Sequence, residues 1–336
     1  PRPGPRLSER VRAVGACADP VAAFLAAHAA GDLVALRTSG TAGPPRSVVR
    51  TTESWVSSFG TVSALTGVGA ASRVWVPGPL SATMNLFATV HATWSGAALV
   101  AGTADATHAH LTPALLHRHL DDLVGVTVVV AGDRLSPALH DRAVAAGVRL
   151  HHYYGAAELS FVAWGSHAAD LRPFPGVTVS VRSGVVWVRS PFVCTRYDGP
   201  PGPLRRDDDG FCTVGDRGLL EGGRLTVLGR ADAVTTGGET VAVADVEPVL
   251  RAAATGEVVV VGVPHEVLGS ALAAVLTAPS DLEPVRAAAR SALHGAHRPR
   301  TWFHVPELPL TAAGKVDRVS LVSLLSGDDG RARRMP

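Results

Sequence analysis

The chain has 336 residues, 46% of them hydrophobic, so it can bury a sizeable core and has room for two domains. Its 31 basic and 29 acidic residues are interspersed and give a net charge of +2, without the basic footprint of a nucleic-acid-binding protein. The three cysteines are widely spaced, no apolar run is long enough for a membrane span and no signal peptide is evident, so we expect a soluble cytoplasmic protein without a disulfide framework.

The N-terminal part of the chain contains a loop rich in glycine and hydroxyl side chains. We predict a helix or helix pair over Val11–Ala30 and a short strand over Leu33–Leu36. The loop Thr38-Ser39-Gly40-Thr41-Ala42-Gly43-Pro44-Pro45-Arg46 and the apolar pair Val48-Val49 follow. Glycines permit close approach and positive φ, and hydroxyl and backbone N–H groups donate hydrogen bonds to anionic oxygens. The stretch indicates a phosphate-binding loop, and on its own it also fits an ordinary surface turn.

Helices and short apolar runs then alternate as far as residue 152. We predict helices over residues 52–65, 81–94, 111–123 and 137–146, and strands over residues 74–77, 97–101, 126–131 and 148–152. This alternation favours an α/β fold over an all-β fold. Gly132 and Asp133 follow one of these strands, at the position where ligands collect in open α/β sheets. We interpret His91 as a packed helix residue.

The rest of the chain divides into a β-rich part and a smaller mixed part. We predict strands over residues 177–181, 185–188 and 225–228, then strands over 258–263 and 272–276, a helix over 282–293 and a strand over 302–305. The predicted fold class is therefore α/β. It consists of a large N-terminal α/β domain with a β subdomain, followed by a small α+β domain.

Five stretches, in a fixed order, carry a resemblance to a known family. They are the loop at residues 38–46, Tyr154-Gly155-Ala156-Ala157-Glu158, Val214-Gly215-Asp216, Gly229-Arg230-Ala231-Asp232 through Glu247, and Pro309-Leu310-Thr311-Ala312-Ala313-Gly314-Lys315. Together they resemble the adenylate-forming superfamily of acyl-CoA synthetases, adenylation domains and luciferases, in an N-terminally shortened form. The resemblance implies an AMP-binding domain over residues 10–231 and a mobile C-terminal domain over residues 232–328, with a hinge at Asp232.

The resemblance also implies how ATP is bound. The loop would hold the β- and γ-phosphates, Tyr154 would stack on the adenine, and Asp216 would accept hydrogen bonds from the ribose. Glu158 would ligate Mg²⁺, a hard cation that prefers oxygen ligands. The residues implied in nucleotide binding are Thr38, Ser39, Gly40, Thr41, Gly43, Gly132, Asp133, Tyr153, Tyr154, Gly155, Ala157, Asp216 and Arg230.

Further residues are implied in the chemistry and in thiol binding. Lys315 would bridge the substrate carboxylate and the α-phosphate, Glu158 would hold the metal, and Arg46 takes the place of a lysine usual in the family. Thr236, Gly237 and Gly238 would line the tunnel for the pantetheine arm of coenzyme A. The resemblance therefore implies an acid–thiol ligase that uses ATP and Mg²⁺ to activate a carboxylic acid. Such a reaction brings two anions together, so its site needs cations and N–H donors.

Several positions depart from the family's pattern and leave alternatives open. Ala157 stands where the family has Thr or Ser, and Val214 stands where it has Thr. The stretch from Val74 to Val100 contains no aspartate that could pair with the ammonium group of an amino acid, so a plain carboxylic acid is the favoured substrate. The motifs resemble both o-succinylbenzoate–CoA ligases and fatty-acyl-CoA ligases. The alternatives are an acyl-AMP ligase that loads a separate acyl carrier protein and a degenerate nucleotide-binding homologue, and a homodimer also stays open.

Overall fold

The computed structural model describes residues 10–37, 46–229, 233–236, 239–265, 269–312, 314–327 and 331–336. Its helices and β-sheets form two compact units. The first unit comprises residues 1–214, 219–226 and 312–315, and the second comprises residues 215–218, 227–311 and 316–336. Within the described ranges, no helix combines the length and the hydropathy that a bilayer crossing requires.

The strands of the described residues are β1 (Val11–Arg12), β2 (Leu33–Arg37), β3 (Ser47–Thr51), β4 (Arg73–Trp75), β5 (Ala98–Val100), β6 (His108–Leu111), β7 (Thr127–Val130), β8 (Arg149–Ala156), β9 (Ser160–Gly165), β10 (Arg172–Pro173), β11 (Thr178–Arg182), β12 (Val185–Arg189), β13 (Arg196–Asp198), β14 (Arg205–Arg206), β15 (Cys212–Thr213), β16 (Arg217–Glu221), β17 (Arg224–Gly229), β18 (Ala233–Thr236), β19 (Glu239–Ala242), β20 (Val258–His265), β21 (Gly269–Leu276), β22 (Thr301–His304) and β23 (Arg333–Arg334). The helices are α1 (Pro20–Ala30), α2 (Glu53–Thr66), α3 (Thr83–Trp94), α4 (Pro113–Arg118), α5 (Pro137–Ala145), α6 (Val243–Arg251), α7 (Leu282–Ala292) and α8 (Arg318–Ser326).

The largest sheet runs in the order β10-β9-β8-β7-β6-β4-β5. Strands β5, β4, β6, β7 and β8 are parallel, and β9 and β10 continue the sheet in antiparallel fashion. The central strand β7 is buried at all four positions, as expected for a run of β-branched residues covered on both faces. This architecture confirms the predicted α/β fold class.

The remaining sheets are smaller. One has the order β1-β2-β3-β13, and another has the order β14-β15-β12-β16-β17 with β11 paired to β12. In the second unit, β18 pairs with β19, and β20, β21, β22 and β23 form a sheet in that order. Val258 and Val260 of β20 belong to a core with α6 and α7, whereas Val259 and Val261 belong to a core with α8. This alternation is the period of two that a strand imposes, and it gives the sheet helices on both faces.

Three helices of the first unit begin in the same way. In each of them, a side-chain oxygen just before the helix accepts a hydrogen bond from the backbone of the first turn. The residue is Asp19 for α1, Thr112 for α4 and Ser136 for α5. A proline follows directly in each case and occupies the first helical position, where its missing N–H costs nothing. The sequence therefore sets these three helix starts locally.

Two of the predicted helices are partly wrong. Over Val11–Ala30 only α1 is a regular α-helix, because Val11 and Arg12 pair in parallel with the start of β2 and Arg12 forms a 2.6 Å ion pair with Asp32. The helix predicted over residues 111–123 begins too early, because Leu111 ends strand β6 between β4 and β7. The predicted division at residue 231 stays a prediction, since residues 230–232 lie outside the described ranges.

Candidate active site

The carboxyl ends of the parallel strands converge on one pocket in the first unit. Thr112 directly follows β6, Gly132 lies just beyond β7, and Tyr153–Ala156 end β8. Parallel strands end at a common edge, and ligands of open α/β sheets collect there. The pocket contains about 690 Å³ of empty space, part of it open solvent. It is lined by Gly132, Tyr153, Gly155, Ala156, Ala157, Ser160, Lys315 and mostly apolar side chains from the remaining elements, namely Trp55, Ala82, Thr83, Met84, Phe87 and Phe161.

Lys315 comes to this pocket from far along the chain, through a turn that is held at Gly314. The buried Thr112 hydroxyl donates a 2.7 Å hydrogen bond to the Gly314 carbonyl oxygen and also accepts a bond from Leu115 N at the start of α4. Gly314 has a φ of +75°, and a Cβ there would lie 2.9 Å from Leu115 Cδ1. Only glycine meets both conditions without strain. The turn thereby brings the Lys315 side chain to the strand ends, where its Cε atom would lie 3.3 Å from a Cβ on Gly132.

Glu158 lies in the tight turn between β8 and β9 and is only 4% exposed. Its Oε1 atom accepts a 2.9 Å hydrogen bond from the Tyr197 hydroxyl, which in turn accepts one from Leu204 N. Burial and the neighbouring Glu158 raise the pKa of Tyr197, so the phenol stays protonated and donates at neutral pH. The carboxylate is thus fixed in position by a neutral donor.

Arg50 supplies a buried positive charge beside the same turn. It lies on β3 and is completely buried, and its Nη2 atom donates a 2.8 Å hydrogen bond to the Ala157 carbonyl oxygen. Its guanidinium carbon lies 5.4 Å from the centroid of the Trp55 ring. Burial lowers the pKa of Arg50 to about 10, while the negative charge of Glu158 acts in the opposite direction. Within the described part of the chain, Nε and Nη1 have no hydrogen-bond partner.

Comparison with known proteins shows which proteins this chain is similar to. A family model described as "AMP-binding enzyme C-terminal domain" matches residues 247–315. The uncharacterised acyl-CoA ligase YhfT of Bacillus subtilis is 27% identical over 323 residues, which cover 84% of this chain and 66% of that protein. A 2-succinylbenzoate–CoA ligase of Salmonella typhimurium is 34% identical over 159 residues, which cover 44% of this chain and 35% of that protein.

A solved structure extends the match to the fold. Escherichia coli MenE with bound OSB-AMS has a TM-score of 0.73 and 26% identity, covering 87% of this chain and 69% of that one. The chain is similar to adenylate-forming enzymes in its fold and, over residues 247–315, in its sequence. It spans about two thirds or less of the length of the curated relatives given above.

The adenylate-forming fold gathers some of the predicted site residues in the pocket and leaves others apart from it. Gly132, Tyr153, Gly155, Ala157 and Lys315 line the pocket. Glu158 lies directly beyond Ala157. Tyr154 is half-buried and Asp133 is exposed, with its Oδ1 atom accepting a bond from Arg134 N. Half-buried Arg46 precedes β3.

The remaining predicted residues belong to the second unit or lie outside the described ranges. Asp216 is 8% exposed and belongs to the segment 215–218, and Thr236 is buried at the end of β18. The loop residues Thr38, Ser39, Gly40, Thr41 and Gly43, together with Arg230, Asp232, Gly237 and Gly238, lie outside the described ranges. The roles assigned to all these residues stay predictions.

Arg50 and Tyr197 are the functional candidates that sequence reasoning missed. Their partners are Ala157 and Glu158, which are 107 and 39 positions away along the chain. Arg50 directly follows Val48 and Val49 in β3, which is consistent with burial but does not indicate what the side chain contacts. Nothing in the surrounding sequence marks Tyr197.

Proposed function

We propose that the chain catalyses ATP-dependent activation of a carboxylic acid to an acyl-adenylate, followed by thioester formation with coenzyme A. The observation that carries this proposal is the meeting of Lys315 with the β8–β9 turn in one pocket at the strand ends. In the first step, a carboxylate oxygen forms a bond to the α-phosphorus of ATP and pyrophosphate leaves with the electron pair. In the second step, the thiol sulfur attacks the acyl carbon, AMP leaves and the thiol proton is released.

The residues of the pocket suit the first step because two anions must approach each other there. Lys315 supplies a compact positive charge on a flexible stem, which can contact the acid and the α-phosphate together. The apolar side chains of Trp55, Met84 and Phe87 exclude water from the acid, which strengthens each electrostatic contact. Arg46, Asp216 and Arg230 are proposed to contact the phosphates and the ribose, and Thr236, Gly237 and Gly238 to contact the thiol arm.

Glu158 fits a magnesium ion that arrives with the nucleotide. In the ranges that the structure describes, no group of three or more His, Cys, Asp or Glu side chains could hold a metal by itself. Mg²⁺ is usually bound by one or two carboxylates together with substrate phosphates, so a single oriented carboxylate is a suitable partner. The ion would neutralise phosphate charge as pyrophosphate leaves.

A pyrophosphate-release assay over a panel of carboxylic acids, with and without coenzyme A, tests the proposal. We expect acid-dependent release of pyrophosphate, and a thioester only when the thiol is present. A separate phosphopantetheinylated carrier protein is assayed in parallel, because both acceptors end in the same arm. Absence of acid-dependent release, from a protein whose melting temperature still rises with ATP and Mg²⁺, would leave only a nucleotide-binding role.

A further inference from the structure

A second cavity lies behind the pocket that holds Lys315. It contains about 410 Å³ of empty space between α2, α3 and the large sheet, part of it open solvent. Phe87 and Phe161 line both cavities, and their rings pack edge to face with centroids 4.9 Å apart. The lining of this inner cavity is mostly apolar, apart from three histidines and Thr66, whose hydroxyl donates to the Val62 carbonyl oxygen. An acid whose carboxylate is held at Lys315 would reach the inner cavity with its tail, by displacing one of the two rings.

The three histidines of the inner cavity differ in whether their hydrogen bonds are satisfied. His91 Nε2 lies 2.9 Å from Ser63 Oγ, and His108 bonds both to Thr107 Oγ1 and to the Thr66 carbonyl oxygen. His110 is 6% exposed, and its Nδ1 atom has no partner among the described residues. A buried polar atom without a partner carries its full desolvation cost unless a ligand or a water satisfies it.

The other nitrogen of His110 defines what Nδ1 can do. The backbone of Met84 acts on the ring in the direction that raises its pKa, which is the effect of a carbonyl oxygen facing a ring N–H. Since Nδ1 is unpaired, the donor is Nε2, and Nδ1 carries the lone pair. Burial lowers the pKa of His110 to about 3, so the neutral imidazole is present at physiological pH. The ring also stacks on Tyr153, with centroids 5.8 Å apart, which limits its rotation.

We propose that the acid substrate carries a neutral hydrogen-bond donor, a hydroxyl or an N–H group, on its apolar tail, and that His110 Nδ1 accepts a hydrogen bond from it. The inference rests on the proposed function, since it concerns the acid that would be activated. A second carboxylate is a poor occupant, because no lysine or arginine among the described residues lines the inner cavity and an unpaired buried charge is costly. A plain hydrocarbon tail would fill the space but leave Nδ1 unsatisfied.

Matched pairs of acids test the inference directly. Each pair has one tail and one length, and differs only in a terminal hydroxyl or methyl group, as in ω-hydroxyalkanoic and alkanoic acids or hydroxyphenyl- and methylphenylalkanoic acids. We expect the best hydroxyl-bearing acid to exceed its methyl partner by ~10–100-fold in kcat/KM for pyrophosphate release, the range that corresponds to losing one buried hydrogen bond. His110→Leu should abolish or reverse this preference, and His110→Gln, which retains an acceptor oxygen, should keep part of it.

His91→Leu is the matched control, because His91 lines the same cavity but already has a partner. It should change the melting temperature without changing the preference between paired acids. Binding of the same pairs without ATP, followed by calorimetry and by the fluorescence of Trp164 in the cavity wall, gives a readout that does not need turnover. Equal kcat/KM for both members of every pair, or a preference that survives His110→Leu, overturns the inference and leaves the proposed function standing. His110-dependent binding without pyrophosphate release would support the inference and contradict the proposed function. Failure of every hydroxyl-bearing acid to bind would overturn the inference.

Discussion

At the scale of single residues, the buried carboxylate of Glu158 has two partners with different roles. Tyr197 is a neutral donor that fixes the direction of Glu158, and Arg50 is a buried cation that offsets its charge. An ionised carboxylate that is 4% exposed would be costly without such compensation. The Tyr197 bond orients Glu158, and Arg50 places a positive charge near it. In the proposed function, this arrangement prepares the carboxylate for the metal ion that a nucleotide would bring.

A double-mutant cycle between Arg50 and Glu158 measures this compensation. Arg50→Met should lower the free energy of unfolding by about 3–5 kcal/mol, because it leaves a buried carboxylate without its cation. Glu158→Gln added to Arg50→Met should recover part of that loss, since the amide carries no charge. Urea unfolding of the wild type, both single variants and the double variant gives the coupling energy. Strictly additive effects would show that the two charges do not interact.

Lys315 and Glu158 each stand in a short motif that predicted a site residue, and the pocket at the strand ends is lined by Lys315 and by Ala157, next to Glu158. The roles predicted for both residues stay predictions. Glu158 follows Tyr154-Gly155, and Lys315 follows a glycine that the structure shows to be required. Arg50 and Tyr197 could not be predicted, because tertiary contacts alone connect them to the site. His110 was missed for a similar reason, since its strand was assigned in part to a helix and the unpaired nitrogen is visible only after packing.

At the scale of secondary structure elements, two short turns determine where the site residues lie. In the β8–β9 turn, a Cβ on Gly155 would lie 2.1 Å from the Ser160 carbonyl oxygen, and the strand register shifts between Tyr154 and Gly155. In the turn before Lys315, Gly314 is held by Thr112, which also caps α4. The strongly periodic strands could be predicted from the sequence, whereas β6 was missed because His108 and His110 interrupt its apolar pattern.

Gly155→Ala tests the β8–β9 turn. The added methyl group meets backbone rather than a mobile side chain, so we expect a loss of about 3 kcal/mol or more in the free energy of unfolding. Gly60→Ala is the control, because Gly60 is an exposed helix residue with no atom within 4 Å of the new Cβ. That change should stabilise the protein by about 0.5–1 kcal/mol. Equal effects of the two substitutions would contradict the close approach at Gly155.

Thr112→Val tests the link between the sheet and the Lys315 turn. The substitution keeps the shape of the side chain but removes a hydroxyl that donates to Gly314 and accepts from Leu115. Leaving two buried backbone groups unpaired should cost about 2–4 kcal/mol and lower the rate of adenylation, because the position of Lys315 is no longer fixed. Thr112→Ser retains the hydroxyl and should restore both properties. If the rate of adenylation is the same in both variants, the turn does not depend on Thr112.

The buried histidines of the large sheet and of α3 predict how stability depends on pH. Burial lowers the pKa of His91 and of His152 to about 4, and the pKa of His110 to about 3. The unfolded chain takes up these protons near pH 6.5, where the folded chain does not, so the free energy of unfolding should fall as the pH drops from about 6.5 to about 4. Urea unfolding at several pH values measures how steeply the free energy of unfolding depends on pH. His91→Leu should reduce this slope by the contribution of one proton. A flat profile in this range would contradict the assignment.

At the scale of the whole molecule, the residues around Lys315 divide between chemistry and architecture. Asp317 caps α8, and Arg318 donates bonds to Glu247 Oε1 and to the Val260 carbonyl oxygen. Glu247 also pairs with Arg251, at 2.9 Å. Part of the motif Gly314–Arg318 therefore holds the second unit together rather than contacting substrate. Sequence reasoning predicted a role only for Lys315 in this stretch, because the contacts of Asp317 and Arg318 become visible only in the folded chain.

Lys315→Ala separates the two half-reactions of the proposed enzyme. Lys315 lines the pocket at the strand ends, where its charge can contact the acid and the α-phosphate during adenylation. The thiol step breaks the acyl–phosphate bond after those anions have already been joined, so it needs this charge less. We expect a fall of ~10²–10³-fold in adenylation, the usual loss for a preorganised transition-state donor, and a much smaller effect on conversion of supplied acyl-adenylate to thioester. Glu247→Gln is the control for architecture, because it should lower the melting temperature of the second unit by weakening its bonds to Arg318 and Arg251. A folded Lys315→Ala variant that loses both half-reactions equally would show that Lys315 does not act specifically in adenylation.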